Sequence, residues 1–361
     1  MEYFLILLVV AASSILTIFH KRNAIFLLPV MVLLVIFSGT RYQSGNDWRG
    51  YQEVFESAVS ESSGLLDFSG RMEPGYMLMN NAVATLGGDL WWIFMLFSVL
   101  NLYFFYKGFM KYTPFVSVAL LLYMRFSYLQ LDFMFLRQGL AIAMFFYAIK
   151  YIKIENPYKY FFLISISCLF HISSIILFPV YFLVSRSYRT NALWGLALLA
   201  FVLGMLPWVE ILFSVIERPL ELVGLASPIK SYLYGENWVD QGKGFSFSML
   251  EKLIVLLFFS YYYNYFYRRI EYFSIFYNLA FIAFLVGLLF MNYYVFSERI
   301  VIIFNVSYIV LISYSLLIMS SYTRILFLVL LVLYVAFWWV RYILASDVYI
   351  PYYSVFYSGF L

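Results

Sequence analysis

A succession of long apolar runs is the feature that most constrains this chain. Many of these runs approach the ~20 residues that an α-helix needs to cross a bilayer. Hydrophobic residues make up 65% of the sequence and charged residues 12%, which is too little charge to cover the surface of a soluble domain. In lipid the backbone must satisfy its own hydrogen bonds, and runs of this length do so as helices. The sequence therefore predicts an all-α, polytopic membrane protein.

The apolar runs predict about 12 transmembrane helices, in a range of about 10 to 14, that form one integral membrane domain over residues 1–361. The predicted spans cover 3–19, 24–38, 90–106, 114–129, 135–152, 159–169, 172–184, 191–206, 251–267, 272–295, 300–319 and 324–343. Lysine and arginine gather at alternate ends of these spans, and the positive-inside rule assigns those ends to the cytoplasm. Both termini are then extracytoplasmic, as are two long segments at about 39–89 and 207–250.

One step of this topology is demanding, because residues 159–184 have to leave the cytoplasmic side and return to it within a short stretch. Two short spans, or a re-entrant hairpin with His171 at its apex, would satisfy the requirement. A single long tilted helix without a turn is the alternative, and it would break the alternation of sides along the chain.

The first long segment carries an amphipathic pattern that predicts a helix lying in the outer membrane interface. Its apolar and charged sides are formed, respectively, by Trp48, Tyr51, Val54 and Phe55 and by Arg49, Glu53 and Glu56. Residues 75–87 predict a shorter helix. The second long segment is rich in Pro, Gly and charge and predicts a loop with short helices, and loops of this length are usually functional.

Polar side chains outside the cytoplasmic basic clusters collect at the predicted extracytoplasmic ends of the spans. They are Arg41, Asp47, Glu73, Arg125, Asp132, Arg137, Gln138, His171, Glu298, Arg299 and Tyr352. Charges near a bilayer are expensive to bury and are functional candidates by default. A guanidinium stays charged and offers a planar set of donors, so Arg41, Arg137 and Arg299 suit a phosphate or diphosphate, and Arg125 is a fourth candidate. His171, Asp47 and Glu73 suit the removal of a proton from an attacking hydroxyl.

Each candidate also has a purely structural interpretation, as a helix cap, an ion pair or a packing residue. Capping is the alternative for Asp47 and Glu73, pairing for Arg137 with Asp132 and for Glu298 with Arg299, and packing for His171. The two histidines and single cysteine, Cys168, leave little basis for zinc or iron–sulfur sites or for disulfides, so no cofactor is expected. No nucleic-acid-binding motif is visible.

Several of these residues occur in short strings: Gly39-Thr40-Arg41, Gly45-Asn46-Asp47-Trp48 with Tyr51, Glu73-Pro74-Gly75-Tyr76, Leu136-Arg137-Gln138-Gly139-Leu140-Ala141, Phe170-His171-Ile172-Ser173-Ser174, Glu298-Arg299 and Ile350-Pro351-Tyr352. Together these strings resemble the signature of the EpsG family, whose members are Wzy-like polymerases of bacterial exopolysaccharide and O-antigen. They occur in the family's order over residues 39–352. Asn46 stands where Thr is commoner and Trp48 where Tyr is, and the stretch at about 185–295 shows only hydrophobicity and a long loop.

The resemblance implies a glycosyltransferase with a multi-span fold like that of glycosyltransferase class C. Such polymerases act at the extracytoplasmic face of the bacterial cytoplasmic (inner) membrane. They transfer a growing glycan from undecaprenyl diphosphate to a hydroxyl of an incoming lipid-linked repeat unit. The implied partners are the undecaprenyl-diphosphate-linked oligosaccharide, the lipid bilayer and, in the same pathway, a chain-length regulator and a flippase.

The chemistry of these residues, taken with the resemblance, leads to a mechanistic hypothesis. Arg137 and Arg299, helped by Arg41, bind the diphosphate, and His171, Asp47 or Glu73 orients or deprotonates the acceptor hydroxyl. The remaining substrate contacts are expected from Gln138, Tyr51, Glu298 and Tyr352. The scattered carboxylates do not predict a metal site, and metal dependence is left open.

Three other functions compete with this interpretation. A membrane O-acyltransferase that decorates glycans would also use an intramembrane histidine, although residues 172–176 lack the aspartate of an H-x4-D pattern. A flippase or transporter of lipid-linked oligosaccharide would also gather arginines, but it should carry charge from both faces of the membrane. A structural subunit of an envelope complex would not need the ordered polar strings.

Overall fold

The computed structural model describes residues 2–17, 24–60, 67, 72–222 and 244–356. Within these ranges the chain forms sixteen α-helices: α1 (Glu2–Thr17), α2 (Ala24–Gly39), α3 (Trp48–Ser60), α4 (Pro74–Thr85), α5 (Leu90–Tyr112), α6 (Val116–Tyr123), α7 (Leu136–Lys153), α8 (Pro157–Phe170), α9 (Leu177–Val184), α10 (Thr190–Gly204), α11 (Trp208–Leu222), α12 (Phe247–Tyr261), α13 (Tyr263–Arg269), α14 (Phe273–Leu289), α15 (Tyr294–Ser315) and α16 (Ser321–Leu344). A π-helix (Met124–Met134) continues α6, and 3-10 turns occupy Ile172–Ile176 and Leu316–Ile318. Two-residue strands β1 (Arg41–Tyr42) and β2 (Tyr353–Ser354) pair antiparallel.

The helical architecture confirms the predicted fold class of a helical membrane protein. Within the described ranges, three helices are long and apolar enough to cross a membrane: Leu90–Tyr112, Val295–Ile318 and Ser321–Leu344. Shorter apolar helices cover Glu2–Thr17, Leu27–Gly39, Pro157–Phe170, Ile172–Val184, Thr190–Gly204 and Phe273–Leu289. Each predicted span coincides with a helix or with consecutive helices. The count of about 12 spans and the extracytoplasmic termini stay predictions.

The chain divides into two compact units. The first comprises Met1–Tyr181 and Ser313–Leu361, and the second comprises Phe182–Ile312. The prediction of a single membrane domain over residues 1–361 stays a prediction.

The interior of the first unit is built around α5 and α7. Helix α5 packs against α2 and α7, and α7 packs against α8. Apolar side chains surround α7 on most sides, so nearly its whole length is buried. An aromatic cluster that includes Tyr76, Phe94 and Phe97, all at most 1% exposed, fills one end of this interior.

Helix α3 confirms the predicted amphipathic pattern but not its predicted surroundings. Trp48, Tyr51 and Phe55 are buried, and Arg49 and Glu53 are exposed. The apolar face packs against α4 and α5 and joins the aromatic cluster rather than lying on lipid. The helix is therefore covered by protein on the side that the sequence assigned to the membrane interface.

The chain reverses at His171, which confirms the predicted hairpin. The Tyr160 hydroxyl, in the first turn of α8, donates a hydrogen bond to the Leu177 carbonyl at 2.8 Å. The Tyr160 and Tyr181 rings lie 5.1 Å apart. In one straight helix these rings would be separated by roughly 30 Å at 1.5 Å per residue, so the alternative of a long helix without a turn is wrong.

The second unit is centred on α14, which packs against α10 and α12. The Trp194 indole N–H donates to Ser260 Oγ at 3.0 Å, and Ser260 shares a 2.7 Å hydrogen bond with Tyr277. Helix α11 occupies the start of the predicted loop at 207–250. Residues 223–243 of that predicted loop lie outside the described residues.

Candidate functional site

Three of the predicted residues meet at the Glu73 carboxylate. Arg137 Nη1 forms an ion pair and hydrogen bond with Glu73 Oε2. His171 Nδ1 lies 3.4 Å from Glu73 Oε1, and the Ile172 backbone N–H donates to the same oxygen at 3.3 Å. The side chains of Glu73, Arg137 and His171 are 15%, 22% and 20% exposed, so a ligand can reach them. We call these three residues the Glu73 cluster.

The local sequence around Glu73 explains its position. Glu73 is the N-cap of α4, and Pro74, at the first helical position, suits the helix start because its missing N–H would have no partner there. A Cβ on Gly75 would lie 2.8 Å from the Leu169 carbonyl oxygen. Only glycine lets the start of α4 approach the end of α8 so closely, and this approach brings Glu73 beside His171.

His171 lies where α8 ends. Its backbone is extended, at φ −155° and ψ 110°, and its N–H closes the helix on the Ser167 carbonyl at 2.9 Å. The following 3-10 turn begins with the Ser174 N–H bonded to the His171 carbonyl at 3.0 Å. The 3.4 Å separation from Glu73 is an ion-pair distance and exceeds that of a well-formed hydrogen bond. Catalytic contacts are often this loose before substrate binds.

Arg137 projects from the first turn of α7. Its guanidinium carbon lies 5.6 Å from the centre of the Tyr76 ring, a distance suited to a cation–π contact. The Tyr51 hydroxyl accepts a hydrogen bond from the Leu136 N–H at 3.1 Å and donates to the Met134 carbonyl at 3.0 Å. The residue predicted as a substrate contact, Tyr51, is thus 3% exposed and bound to the backbone next to Arg137.

The charge state of Glu73, which lies in the segment before α4, follows from its neighbours. Burial raises the pKa of this carboxyl, but the nearby His171 imidazole, the charge of Arg137 and the Ile172 N–H outweigh it and lower the pKa to about 2. Glu73 is therefore a carboxylate at every physiological pH and a weak proton acceptor. It suits the orientation of cationic or N–H groups better than the role of general base.

Arg41 lies in the interior rather than at the Glu73 cluster. Its side chain is fully buried, and its guanidinium donates to the Ser38 carbonyl at 2.6 Å and to the Phe133 carbonyl at 3.3 Å. The same group stacks over Phe94, with its carbon 4.2 Å from the ring centre. In the described structure, the guanidinium of Arg41 therefore contacts groups of the protein itself. The sequence analysis instead predicts that this guanidinium binds the diphosphate.

Asp47 and Tyr352 belong to the same region of the first unit as Arg41. Asp47 is exposed in the turn before α3, and its carbonyl accepts the Tyr51 N–H at 3.1 Å, which agrees with the alternative of a helix cap.

The Tyr352 hydroxyl donates to the Phe37 carbonyl at 2.8 Å, and its ring stacks on that of Phe37. Gln138 is 4% exposed in the first turn of α7.

Glu298 and Arg299 lie in the second unit. Both are half-buried in the first two turns of α15. The Glu73 cluster belongs wholly to the first unit and contains residues of three of the matching strings. The string Glu298-Arg299 lies in the second unit.

The structure buries two charged side chains whose burial the sequence analysis does not predict. Asp132, predicted in a short outer turn, is fully buried in the π-helix and accepts hydrogen bonds from Tyr123 at 2.6 Å and Asn101 at 2.7 Å. Lys252, which the sequence interpretation passed over, is 6% exposed and donates to Ser248 at 2.6 Å. A lysine at the very start of a predicted span was the available signal for it.

In the part of the chain that the structure describes, no three His, Cys, Asp or Glu side chains gather as metal ligands would. No curated protein and no solved structure matches the chain. The model of the EpsG family, in contrast, matches residues 24–354. This match covers most of the sequence and includes every residue of the Glu73 cluster. The chain therefore belongs to the EpsG family, the family of Wzy-like exopolysaccharide polymerases.

Proposed function

We propose that this protein joins undecaprenyl-diphosphate-linked oligosaccharide repeat units at the extracytoplasmic face of the bacterial inner membrane. It transfers the growing glycan from its lipid carrier to a hydroxyl of an incoming lipid-linked unit. Membership of the EpsG family supports a polymerase of exopolysaccharide type. The observation that carries the residue assignment is the partly exposed contact of Glu73 with both Arg137 and His171.

Arg137 has the chemistry to receive the donor diphosphate. Its present partner is a single carboxylate, and a diphosphate offers more negative charge and more acceptor oxygens to the same planar donors. As the glycosidic bond to the diphosphate breaks, the electron pair stays on the leaving oxygen. A guanidinium fixed beside that oxygen stabilises the developing charge.

His171 is the better placed of the candidate bases. With Nδ1 directed at the Glu73 carboxylate, Nε2 is the nitrogen that can accept the proton of the acceptor hydroxyl. The hydroxyl oxygen then forms the new bond to the anomeric carbon while its proton moves to Nε2, and Glu73 stabilises the resulting imidazolium. Direct displacement of this kind inverts the configuration at the anomeric carbon.

The remaining predicted residues have supporting roles in this proposal. Gln138 follows Arg137 on α7 and is a proposed substrate contact. Arg299, with Glu298 beside it in sequence, has the same donor chemistry for a phosphate group. Asp47 is the exposed alternative for hydroxyl activation. A chain-length regulator and a flippase of the same pathway are the proposed partners.

Deletion of the gene and complementation with variants test the proposal. Cells without the gene are expected to carry polysaccharide of one repeat unit in place of a ladder of lengths. The wild-type gene and Arg49→Ala, which changes an exposed arginine on α3, should restore the ladder, whereas Arg137→Ala and His171→Ala should not, at equal protein levels.

The other outcomes of the same experiment identify the competing functions. A full ladder with a changed acyl decoration in the deletion strain would point to an O-acyltransferase. Lipid-linked repeats that accumulate on the cytoplasmic side would point to a flippase.

A further inference from the structure

A turn directly before Arg137 is held by residues from a distant motif. The π-helix ends at Met134 and α7 begins at Leu136. A helix leaves its last carbonyls and its first N–H groups without partners of its own. Some carbonyl and N–H groups of residues 133–136 therefore find their partners outside these two helices, directly before Arg137. We call residues 133–136 the α7 turn.

Resting on the proposed function, we infer that Tyr51 and Arg41 are positioning residues that hold the α7 turn and so fix Arg137 toward the diphosphate. This assigns them a role different from the direct substrate contacts that the sequence predicts. It also gives one function to the string of matching residues that begins at Gly39 and ends at Tyr51.

Tyr51 satisfies both ends of the turn with one hydroxyl. It donates to the Met134 carbonyl at 3.0 Å and accepts from the Leu136 N–H at 3.1 Å. Its ring packs against the rings of Tyr76 and Phe94, with ring centres 5.8 Å and 6.1 Å away, respectively. The residue after Leu136 is Arg137, so a loss of this bridge frees the backbone one residue from the guanidinium.

Arg41 forms a hydrogen bond with Phe133, the first residue of the α7 turn. Its two terminal nitrogens span the Ser38 carbonyl, at the end of α2, and the Phe133 carbonyl. A planar fork can reach two carbonyls at once, which a lysine ammonium on a flexible stem does less well. Gly45 contributes a third contact, because a Cβ there would lie 2.4 Å from the Phe133 oxygen and its φ of +97° favours glycine.

The C-terminal segment fixes Arg41 in turn. Strand β1 pairs with β2 in the register Arg41 opposite Ser354. The Val355 N–H donates to the Thr40 carbonyl at 2.8 Å, and the Gly45 N–H donates to the Val348 carbonyl at 3.1 Å. Three parts of the chain that are far apart in sequence are thus joined to the segment that carries Arg137.

The chain supplies a matched control for Tyr51. The Tyr112 hydroxyl accepts from the Lys150 N–H at 2.8 Å and donates to the Tyr147 carbonyl at 3.2 Å. Tyr112 is 4% exposed, against 3% for Tyr51, so the two residues make the same kind of bridge in equally buried places. The Tyr112 bridge lies on the last turns of α7, at the end away from Arg137.

A double-mutant cycle on the full-length protein in proteoliposomes tests the inference, with polymerisation of a lipid-linked repeat unit as the readout. Tyr51→Phe is expected to lower kcat about tenfold in the wild-type background and less than about twofold in the Arg137→Lys background. Tyr112→Phe should leave kcat within about twofold in both backgrounds. Hydrogen exchange of the Leu136 amide should accelerate in Tyr51→Phe and not in Tyr112→Phe.

The outcomes separate this inference from the proposed function. If Tyr51→Phe is as active as wild type, or lowers kcat equally in both backgrounds, the positioning role is wrong. If Arg137→Ala polymerises normally, the proposed function of the Glu73 cluster is wrong as well. Arg41→Lys provides a second route should Tyr51→Phe fold poorly. It is expected to lower kcat through the same non-additive coupling to Arg137, and additivity would overturn the inference.

Discussion

Arg137 and Arg41 carry the same guanidinium in opposite settings. Arg137 is 22% exposed and pairs with a carboxylate, a partner that an incoming diphosphate can replace. Arg41 is fully buried and donates to two backbone carbonyls, and removing the donor of a buried acceptor is costly. The comparison teaches that arginines in neighbouring motifs need not share a role. In our proposal, Arg137 contacts the substrate and Arg41 holds the segment that carries Arg137.

The largest expected effect concerns the base. His171→Ala should lower polymerisation about a thousandfold, because loss of a general base typically costs 10²–10⁴-fold. Asp47→Asn is the matched change at the other candidate, and it should retain near wild-type activity because asparagine caps a helix about as well as aspartate. Rates of glycan elongation with purified variants are the measurement. The reverse pattern, with Asp47→Asn inactive and His171→Ala active, would transfer the role to Asp47.

The second prediction tests the two arginines directly. Arg137→Ala should lower kcat about a hundredfold while the thermal stability changes little, since a partly exposed donor to a developing charge is lost. Arg41→Ala should instead lower thermal stability and folded yield, because two buried carbonyls lose their donor at roughly 1–3 kcal/mol each. Elongation rates and melting curves in detergent separate the two.

Arg49→Ala, on the exposed side of α3, is the control for both arginine variants. Equal losses of stability in Arg137→Ala and Arg41→Ala would show that the two arginines do not differ in the way proposed, one binding substrate and the other positioning the α7 turn.

A smaller effect is expected at Gly75. Gly75→Ala places a methyl group 2.8 Å from the Leu169 oxygen and must push α4 away from α8, which separates Glu73 from His171. We expect about a tenfold loss of activity, in line with the sensitivity of catalysis to small misplacements. Gly50→Ala meets no atom within 4 Å and should be neutral or slightly stabilising in its helix. Indistinguishable activities of the two variants would show that the close approach is not needed.

The smallest expected effect is a dependence of stability on acid. The pKa of Glu73 is about 2 in the folded protein, below its ordinary 4.5, so its stabilising contribution is complete above the unfolded value. That contribution is lost as the pH falls from about 4.5 toward about 2. The melting temperature of the wild type should therefore fall more steeply over this range than that of Glu73→Gln. Parallel curves for the two proteins would mean that the Glu73 interactions contribute no measurable stability.

The helical fold was readable from the sequence because apolar runs of membrane length leave the backbone little choice. The reversal at His171 was readable for a related reason, since the basic residues at both ends of 159–184 required it. The surroundings of α3 were not readable. A helical face made of Trp48, Tyr51 and Phe55 looks the same whether protein or lipid covers it.

The site could be predicted by residue type but not by arrangement. Glu73, Arg137 and His171 are far apart in sequence, and only the packing of α4, α7 and α8 shows that one carboxylate joins the other two. The burial of Arg41 and Asp132 could not be predicted for the same reason. The side chain of a charged residue near the end of an apolar run can lie at the protein surface or in the interior. The hydrogen-bond partners that determine which of these it does come from distant segments of the chain.

The most direct test of the central claim is reconstitution. The purified protein in liposomes, supplied with one undecaprenyl-diphosphate-linked repeat unit, should produce a ladder of lipid-linked glycans and release undecaprenyl diphosphate. Arg137→Ala in the same liposomes should leave most of the substrate as single units over the time in which the wild type forms the ladder. Substrate that stays monomeric with wild-type protein, or that only gains an acyl group or changes leaflet, would contradict the account.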